Sequence, residues 1–290
     1  MLIRAGRLAA EGVAFALATV VDVERPASAR RGDRALVTAD GKLEGWVGGA
    51  CSEPIVVREA LQALAEGEPR LVRIAPPGRG SPAGRGDVVC AESSCASEGV
   101  VEVLVEPQLP APLVAVVGGS PAASTLARLA PEVGWRVARE VVPDATAVVV
   151  ATMGHGDEEA LGEALALGVG YVGLVASSRR AASVLRALRE RGLDEEALAS
   201  VRSPAGLDLG PSTQPEIAVA VLAELVAWRH RGAAQAPPLA VAVDPVCGMD
   251  VAVTESTESA EHEGSVFYFC SSGCRARFEA EPDRYSHITQ

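Results

Sequence analysis

The chain is poor in aromatic side chains, in lysine, in positive charge and in long apolar runs. Three Trp, three Tyr and four Phe are all the rings in 290 residues, and Phe267, Tyr268, Phe269, Phe278 and Tyr285 place half of them after residue 266. Such uneven placement predicts that the tail is a separate module. Lys42 stands alone against 25 arginines, a bias of codon usage rather than a basic surface, and the formal net charge is −12. That balance argues against nucleic acid or anionic lipid as the main partner. Six cysteines are too sparse for a disulfide scaffold. No apolar run approaches the ~20 residues of a membrane-spanning helix. Arg4 and Arg7 ahead of residues 13–21 faintly imitate a signal peptide, but Asp22 and Glu24 follow at once without a small-residue cleavage pattern. The expectation is a soluble, cytoplasmic protein with no membrane insertion, whose clustered thiols are ligands or reactive groups.

What is present is apolar enough to build cores, at 48% hydrophobic residues, and long enough for two or three domains. Residues 1–108 read as a small α+β domain: an amphipathic helix over 4–15, a strand over 16–21, a hairpin about Asp40-Gly41, a helix over 54–65, and strands over 71–74 and 100–105. Past a proline-punctuated linker, residues 111–232 alternate strand and helix, beginning with the apolar run 113–117, and predict a Rossmann-like parallel sheet. An Ala/Pro/Gly linker at 233–242 leads to a small Cys-rich α+β module over 243–290. The class is α/β, without internal repeats.

In the tail, Cys270 and Cys274 are spaced Cys-x3-Cys after an apolar run, and Cys247 sits on an earlier turn. Three soft sulfur donors suit Zn, Cu or another soft metal. A module of this size is too small to be stable on its core alone, so a metal would help it fold. His262 is a further candidate ligand, although a lone exposed His is more often plain surface. The stretches Asp244-Pro-Val-Cys-Gly-Met249, Phe267-Tyr-Phe-Cys-Ser-Ser-Gly-Cys-Arg-Ala-Arg-Phe278 and Pro282-Asp-Arg-Tyr285 resemble the YHS/TRASH-type module. The resemblance implies metal sensing or handling with these cysteines as ligands.

Near the N-terminus, Gly48-Gly49-Ala50-Cys51-Ser52-Glu53-Pro54 joins a short strand to a helix. Pro54 suits a first helical turn, Ser52 could cap it, and Cys51 would lie at the positive end of the helix dipole, which favours thiolate. Adjacent glycines let a ligand approach the backbone. An anion cradle carrying a soft donor and an inert cysteine beside a tight turn are both open. Cys90 and Cys95, read as loop cysteines, could join Cys51 in a three-thiol site. The segments Ala16-Leu-Ala-Thr-Val-Val21, Arg25-Pro-Ala-Ser-Ala-Arg30, Asp40-Gly41, Gly45-Trp-Val-Gly-Gly-Ala-Cys-Ser-Glu53, Cys95-Ala-Ser-Glu-Gly-Val-Val-Glu-Val103 and Glu106-Pro107 are similar to the N-terminal domain of the XdhC/CoxI family. That family matures molybdenum hydroxylases such as xanthine dehydrogenase and carbon monoxide dehydrogenase. Cys51 falls on its glycine-glycine-x-cysteine motif.

The turn Gly118-Gly119-Ser120-Pro121 after the 113–117 run resembles a Rossmann phosphate loop without completing the Gly-x-Gly-x-x-Gly pattern. Glu140 lies about twenty residues on, where a ribose-binding acid is expected. The chain then returns to a strand at Ala147 without room for a crossover helix, which weakens a nicotinamide site. Ala151-Thr-Met-Gly-His-Gly-Asp157, Tyr171-Val-Gly-Leu-Val-Ala-Ser-Ser-Arg-Arg180 and Gly206-Leu-Asp-Leu-Gly210 through Thr213, Pro215-Glu-Ile-Ala218 and Ala223-Glu224 look like the same family's Rossmann domain. His155 follows one strand and Arg179 and Arg180 the next, at the carboxyl ends where open sheets bind ligands, and Asp208 lies on a Gly-flanked loop. Fixed guanidinium groups suit a phosphate or pterin substituent.

The resemblance implies an accessory insertion factor rather than a turnover enzyme. It would bind the molybdenum cofactor, as molybdopterin or its cytosine dinucleotide, between the first two domains, using Gly48, Gly49, Cys51 and Cys95 together with Gly118, Gly119, Ser120, His155, Arg179, Arg180 and Asp208. It implies an apo molybdenum hydroxylase as partner, a cysteine desulfurase as a second, and a homodimer by analogy. Two alternatives stay open: an NAD(P)-dependent oxidoreductase, and a soft-metal buffer or sensor.

Overall fold

A computed structural model describes residues 1–49, 51–79, 88–93, 99–233 and 239–285. The chain divides into two compact units, Met1–Pro110 with Gln235–Gln290, and Ala111–Ala234.

The first unit begins with α1 (Leu2–Ala10), which buries Ala5 and Leu8 against Phe15 and Leu36. The helix stops well short of residue 15, because Gly12 turns to φ +68 and Phe15 opens a strand instead. The elements that follow are β1 (Phe15–Glu24), β2 (Arg34–Thr38), β3 (Leu43–Gly45), α2 (Glu53–Glu66), β4 (Arg70–Ala75), β5 (Val88–Glu92) and β6 (Val100–Gln108). They form a sheet of order β3-β2-β1-β6-β4-β5. Among the described pairs of this sheet, only β4–β5 is parallel. Alternate residues of β1 and β6, among them Ala16, Ala18, Val20, Val101, Val103 and Val105, face α2, whose Ile55, Val56, Ala60 and Ala63 complete the core. Burying each Val or Ile side chain contributes about 1.5–3 kcal/mol, which holds α2 onto the sheet. Gly67, at φ +73, ends α2 in the left-handed conformation that glycine adopts without strain.

In the second unit, β7 (Leu113–Val117), α3 (Pro121–Leu129), a 3-10 turn at Ala130–Val133, β8 (Arg136–Ala138), β9 (Ala147–Val150), α4 (Asp157–Ala166), β10 (Tyr171–Leu174), α5 (Ser178–Glu190), α6 (Glu195–Ser200) and α7 (Gln214–Ala233) follow in order. The strands run parallel in the order β10-β9-β7-β8. Both faces are covered: α3 and α7 bury Leu126, Ala218, Val221 and Leu225 on one, and α4, α5 and α6 bury Leu161, Val184, Leu188 and Leu198 on the other. A sheet buried on both sides explains the unbroken apolar strands Leu113–Val117 and Ala147–Val150. The chain leaves β7 for the edge strand β8, then passes back to β9 on the other side of β7 without a helix. The strand order therefore reverses between β7 and β9, and the crevice outside their carboxyl ends is where such sheets take ligands.

The tail returns to the first unit. It contains β11 (Val241–Val243) paired with β12 (Asp250–Ala252), a hairpin of β13 (Glu258–His262) and β14 (Ser265–Phe269), α8 (Ser272–Ala280) and α9 (Pro282–Tyr285). Its core is Phe267, Phe269 and Phe278, with ring centroids 4.8 Å and 5.2 Å from Phe278. The late aromatics are thus this small core. The tail packs on the first domain: Met249 joins the sheet core, Arg58 Nη1 lies 3.5 Å from Asp250 Oδ2, and Ser256 Oγ donates to Asp40 Oδ2 at 3.4 Å. No described helix is long and apolar enough to cross a membrane.

Candidate functional site

In the tail, Asp244, Cys247, Cys270 and Cys274 bring one potential ligand atom each to within 4.8 Å of the others. Cys247 Sγ lies 3.6 Å from Cys270 Sγ, which lies 3.5 Å from Cys274 Sγ. Local structure sets this arrangement. Asp244 Oδ1 accepts the Val246 and Cys247 N–H groups at 2.8 and 3.3 Å, the Asx turn that an Asp-Pro start favours, while Oδ2 accepts the Cys270 N–H at 2.8 Å. Ser271 caps α8 by accepting the Cys274 N–H at 3.3 Å. One fully buried carboxylate therefore ties the first turn to the end of β14.

The electrostatics follow from these bonds. The hydrogen bond between the Cys247 and Cys270 sulfurs lowers the Cys247 thiol to about 7 against the opposing effect of its burial. The same bond, with burial, pushes Cys270 up, and burial raises Cys274. Burial acts to raise Asp244, but the N–H groups of Cys270 and Val246 outweigh it and hold the carboxyl below its ordinary value. Asp244 was not among the expected site residues. Both of its oxygens are engaged by backbone donors, so it positions the sulfurs, and Cys247, Cys270 and Cys274 offer a three-sulfur donor set that fits a soft cation. His262 lies outside this group, its ring edge-on to Phe278 and its Nε2 3.5 Å from Asp283.

The second unit carries a cavity of about 690 Å³ beyond the carboxyl ends of its strands. Ser120, Met153, Asp157, Ser177, Arg180 and Asp208 line it. Ser120 Oγ caps α3 by accepting the Ala123 N–H at 3.0 Å, and Ser177 Oγ caps α5 by accepting the Arg180 N–H at 3.4 Å. The N-termini of α3, α4 and α5 thus reach the cavity wall, an arrangement that favours anions. Arg180 is fixed: Nε donates to Asp157 Oδ2 at 2.8 Å and Nη2 to the Gly154 carbonyl at 2.9 Å. The Thr152 hydroxyl donates to the other Asp157 oxygen and accepts the N–H groups of Gly154 and His155. Asp157, buried at the head of α4, closes the family-like segment 151–157 but is not among the expected site residues; its signal is an acid directly after a Gly-His-Gly loop.

Of the residues expected here, Ser120, Arg180 and Asp208 come together at the cavity, while Gly118, Gly119, His155 and Arg179 do not line it. Gly118, at φ +119, lets the loops after β7 and β9 close, because a Cβ would sit 2.5 Å from the Ala151 carbonyl oxygen. Gly119, His155 and Arg179 are exposed. Asp208 Oδ1 accepts the Gly210 N–H at 2.9 Å, and Glu140 is exposed and away from the cavity.

In the first unit, Gly48 and Gly49 have φ +123 and +81, and the Trp46 ring covers Gly49 so closely that a Cβ would lie 3.0 Å from it. Cys51 follows, half-buried, just ahead of α2. Ser52 occupies the cap position but has helical dihedrals, φ −98 and ψ −34, and makes no capping bond, contrary to expectation. Cys90 lies on the edge strand β5 rather than in a loop, and is exposed. Cys95 falls outside the described residues.

Comparison with known proteins adds to this geometry. Residues 8–75 match the XdhC and CoxI family, residues 114–225 the XdhC Rossmann domain and residues 242–289 the YHS domain. The chain is 30% identical over 253 residues to an uncharacterized protein, YqeB, of Escherichia coli (strain K12), covering 77% of this chain and 45% of that protein. Over 46 residues it is 44% identical to a copper-transporting P-type ATPase of Rhizobium leguminosarum bv. viciae, 16% of this chain and 6% of the ATPase. The chain thus spans less than half the length of both curated relatives. A solved structure described as a xanthine dehydrogenase from Bacillus halodurans superposes with a TM-score of 0.37 at 17% identity, over 79% of this chain and 96% of that one.

Proposed function

The chain belongs to the XdhC and CoxI family and ends in a YHS domain, and from that premise we propose that it is a maturation factor that binds the molybdenum cofactor and delivers it to an apo molybdenum hydroxylase of the xanthine dehydrogenase or carbon monoxide dehydrogenase type. The cofactor is cargo, whose chemistry the hydroxylase uses. The observation that carries the reading is the cavity of the second unit, where Ser120, Ser177 and the fixed Arg180 meet three helix N-termini. These groups suit the phosphate of molybdopterin or the longer anion of its cytosine dinucleotide form. Met153, Leu207 and Leu209 add an apolar rim for a flat ring. In the first unit, Cys51 on the family's glycine-cysteine turn is a second binding element, a thiol ahead of α2 that suits a soft metal centre.

The tail's role in this reading is to hold a soft metal, zinc, copper or another, through Cys247, Cys270 and Cys274 during maturation. A cysteine desulfurase as second partner, paired subunits and a cytoplasmic setting belong to the same proposal. The oxidoreductase alternative has less support, since Glu140 stands away from the cavity and no helix links β8 to β9.

The test mixes the purified full chain with molybdenum cofactor and measures pterin and molybdenum after desalting. Both are expected to be retained, with transfer to apo-hydroxylase weakened by Cys51→Ser. Retention of NAD(P) without pterin would reverse the ranking.

A further inference from the structure

Behind the glycine pair of the first unit lies a niche of about 30 Å³, walled by Ser28, Gly48, Ser52, Ser93, Gly99 and Val101. That is room for one oxygen atom or one water. Ser93 is 5% exposed, and its Oγ is buried without a hydrogen-bond partner among the described residues. A buried hydroxyl left unpaired is costly, and such groups ordinarily mark a missing ligand atom or water. Ser52, 7% exposed, stands at the head of the 14-residue helix α2 and makes no capping bond there. The third hydroxyl is committed: Ser28 Oγ donates to the Gly48 carbonyl at 3.0 Å. Gly48 keeps the niche open, because a Cβ there would sit 2.9 Å from Ser52 Oγ. Two uncommitted hydroxyl donors beside the positive end of a helix select a hydrogen-bond acceptor, and an anionic one best.

We propose that this niche is the oxyanion corner of the Gly48–Cys51 turn, taking one oxygen of a phosphate-like group on the hydroxyls of Ser93 and Ser52. The rest of the group lies outside, past the exposed Ser28, and the ligand to which it belongs extends toward Cys51. The inference rests on the reading of this turn as a cofactor-binding element and adds to it two hydroxyls, that of Ser52 within the turn and that of Ser93, which lies outside the motifs.

Inorganic phosphate is the probe, applied to the full chain, and the readout is the rate of Cys51 alkylation by iodoacetamide, followed by peptide mass spectrometry. Phosphate at about four times its dissociation constant is expected to slow alkylation by about fivefold in the parent, since about four-fifths occupancy leaves one-fifth of the thiol open. Ser93→Ala and Ser93→Val are expected to abolish the effect. Without phosphate, Ser93→Ala is expected to unfold at the same temperature as the parent or higher, since the hydroxyl it removes has no partner. Equal protection of parent and Ser93→Ala, or no protection of the parent because the niche holds water only, overturns the proposal. Cofactor retention after desalting separates the two readings. A parent that retains pterin but lacks Ser93-dependent protection defeats this corner alone. Ser93-dependent protection without pterin retention leaves the corner standing and defeats the maturation reading.

Discussion

At the scale of single residues, the most informative side chain is one that opens a motif without being among its expected ligands. Asp244 spends both carboxylate oxygens on three backbone N–H groups, and those belong to the segments that carry Cys247 and Cys270. Asn at this position can keep the turn but must turn its amide toward the Cys270 N–H. Asp244→Asn is therefore expected to weaken soft-metal binding by about 10–100-fold, the usual cost of losing an orienting partner, as read by competition against a chromogenic chelator. Glu53 shows the opposite influence. Burial alone raises its carboxyl above the ordinary value, so ionising it costs more in the fold than in the unfolded chain. The penalty is absent in acid and appears as pH rises past the ordinary carboxylate range. Glu53→Gln should therefore melt higher than the parent at neutral pH and level with it in acid, which thermal scans across pH will show.

Among the elements, the segments legible in the sequence are those whose pattern is local. The apolar runs that became β7 and β9, the helix behind Pro54 and the helices following the 113–174 strands all announced themselves through periodicity. Other elements were hidden by composition or by distance. Strand β5 lies beside a Pro/Gly/Arg stretch that reads as loop, and α6 is a six-residue helix too short to show a face. Helical periodicity carries the first helix on to Phe15, whereas Phe15 belongs to the sheet. In the site, the cysteines were legible because thiols at metal-ligand spacing are rare. Asp157 and Asp244 were not, since each acts by gripping backbone or a distant arginine. Gly118, expected from its turn to admit a ligand, provides the clearance that lets two loops meet. Gly118→Ala is expected to destabilise the second unit by about 1–3 kcal/mol, from φ strain and the clash with the Ala151 carbonyl together, measured by denaturant unfolding. Pterin retention at low denaturant should change far less.

For the whole molecule, the grouping of the tail with the first domain makes metal binding there a matter of that unit's stability. The contacts of Met249, Asp250 and Ser256 with the first domain join the two parts. A soft metal bound by the tail should therefore raise the unfolding transition of the first unit, by about 2.7 kcal/mol at a hundredfold excess over the dissociation constant, and leave the transition of the second unit in place. Calorimetry with and without a thiol-reactive chelator reads both. The same grouping has a consequence for biogenesis. Residues 111–234 are synthesised between the two halves of the first unit. On a ribosome that emits the chain from its N-terminus, the parallel-sheet unit is whole while α2 still lacks the segment that will cover it. The intervening loop is long, but closure entropy grows only as the logarithm of loop length, about 0.6 kcal/mol per doubling. The first domain consequently passes through a stage with one flank of α2 bare, and the arrival of the thiol module closes it.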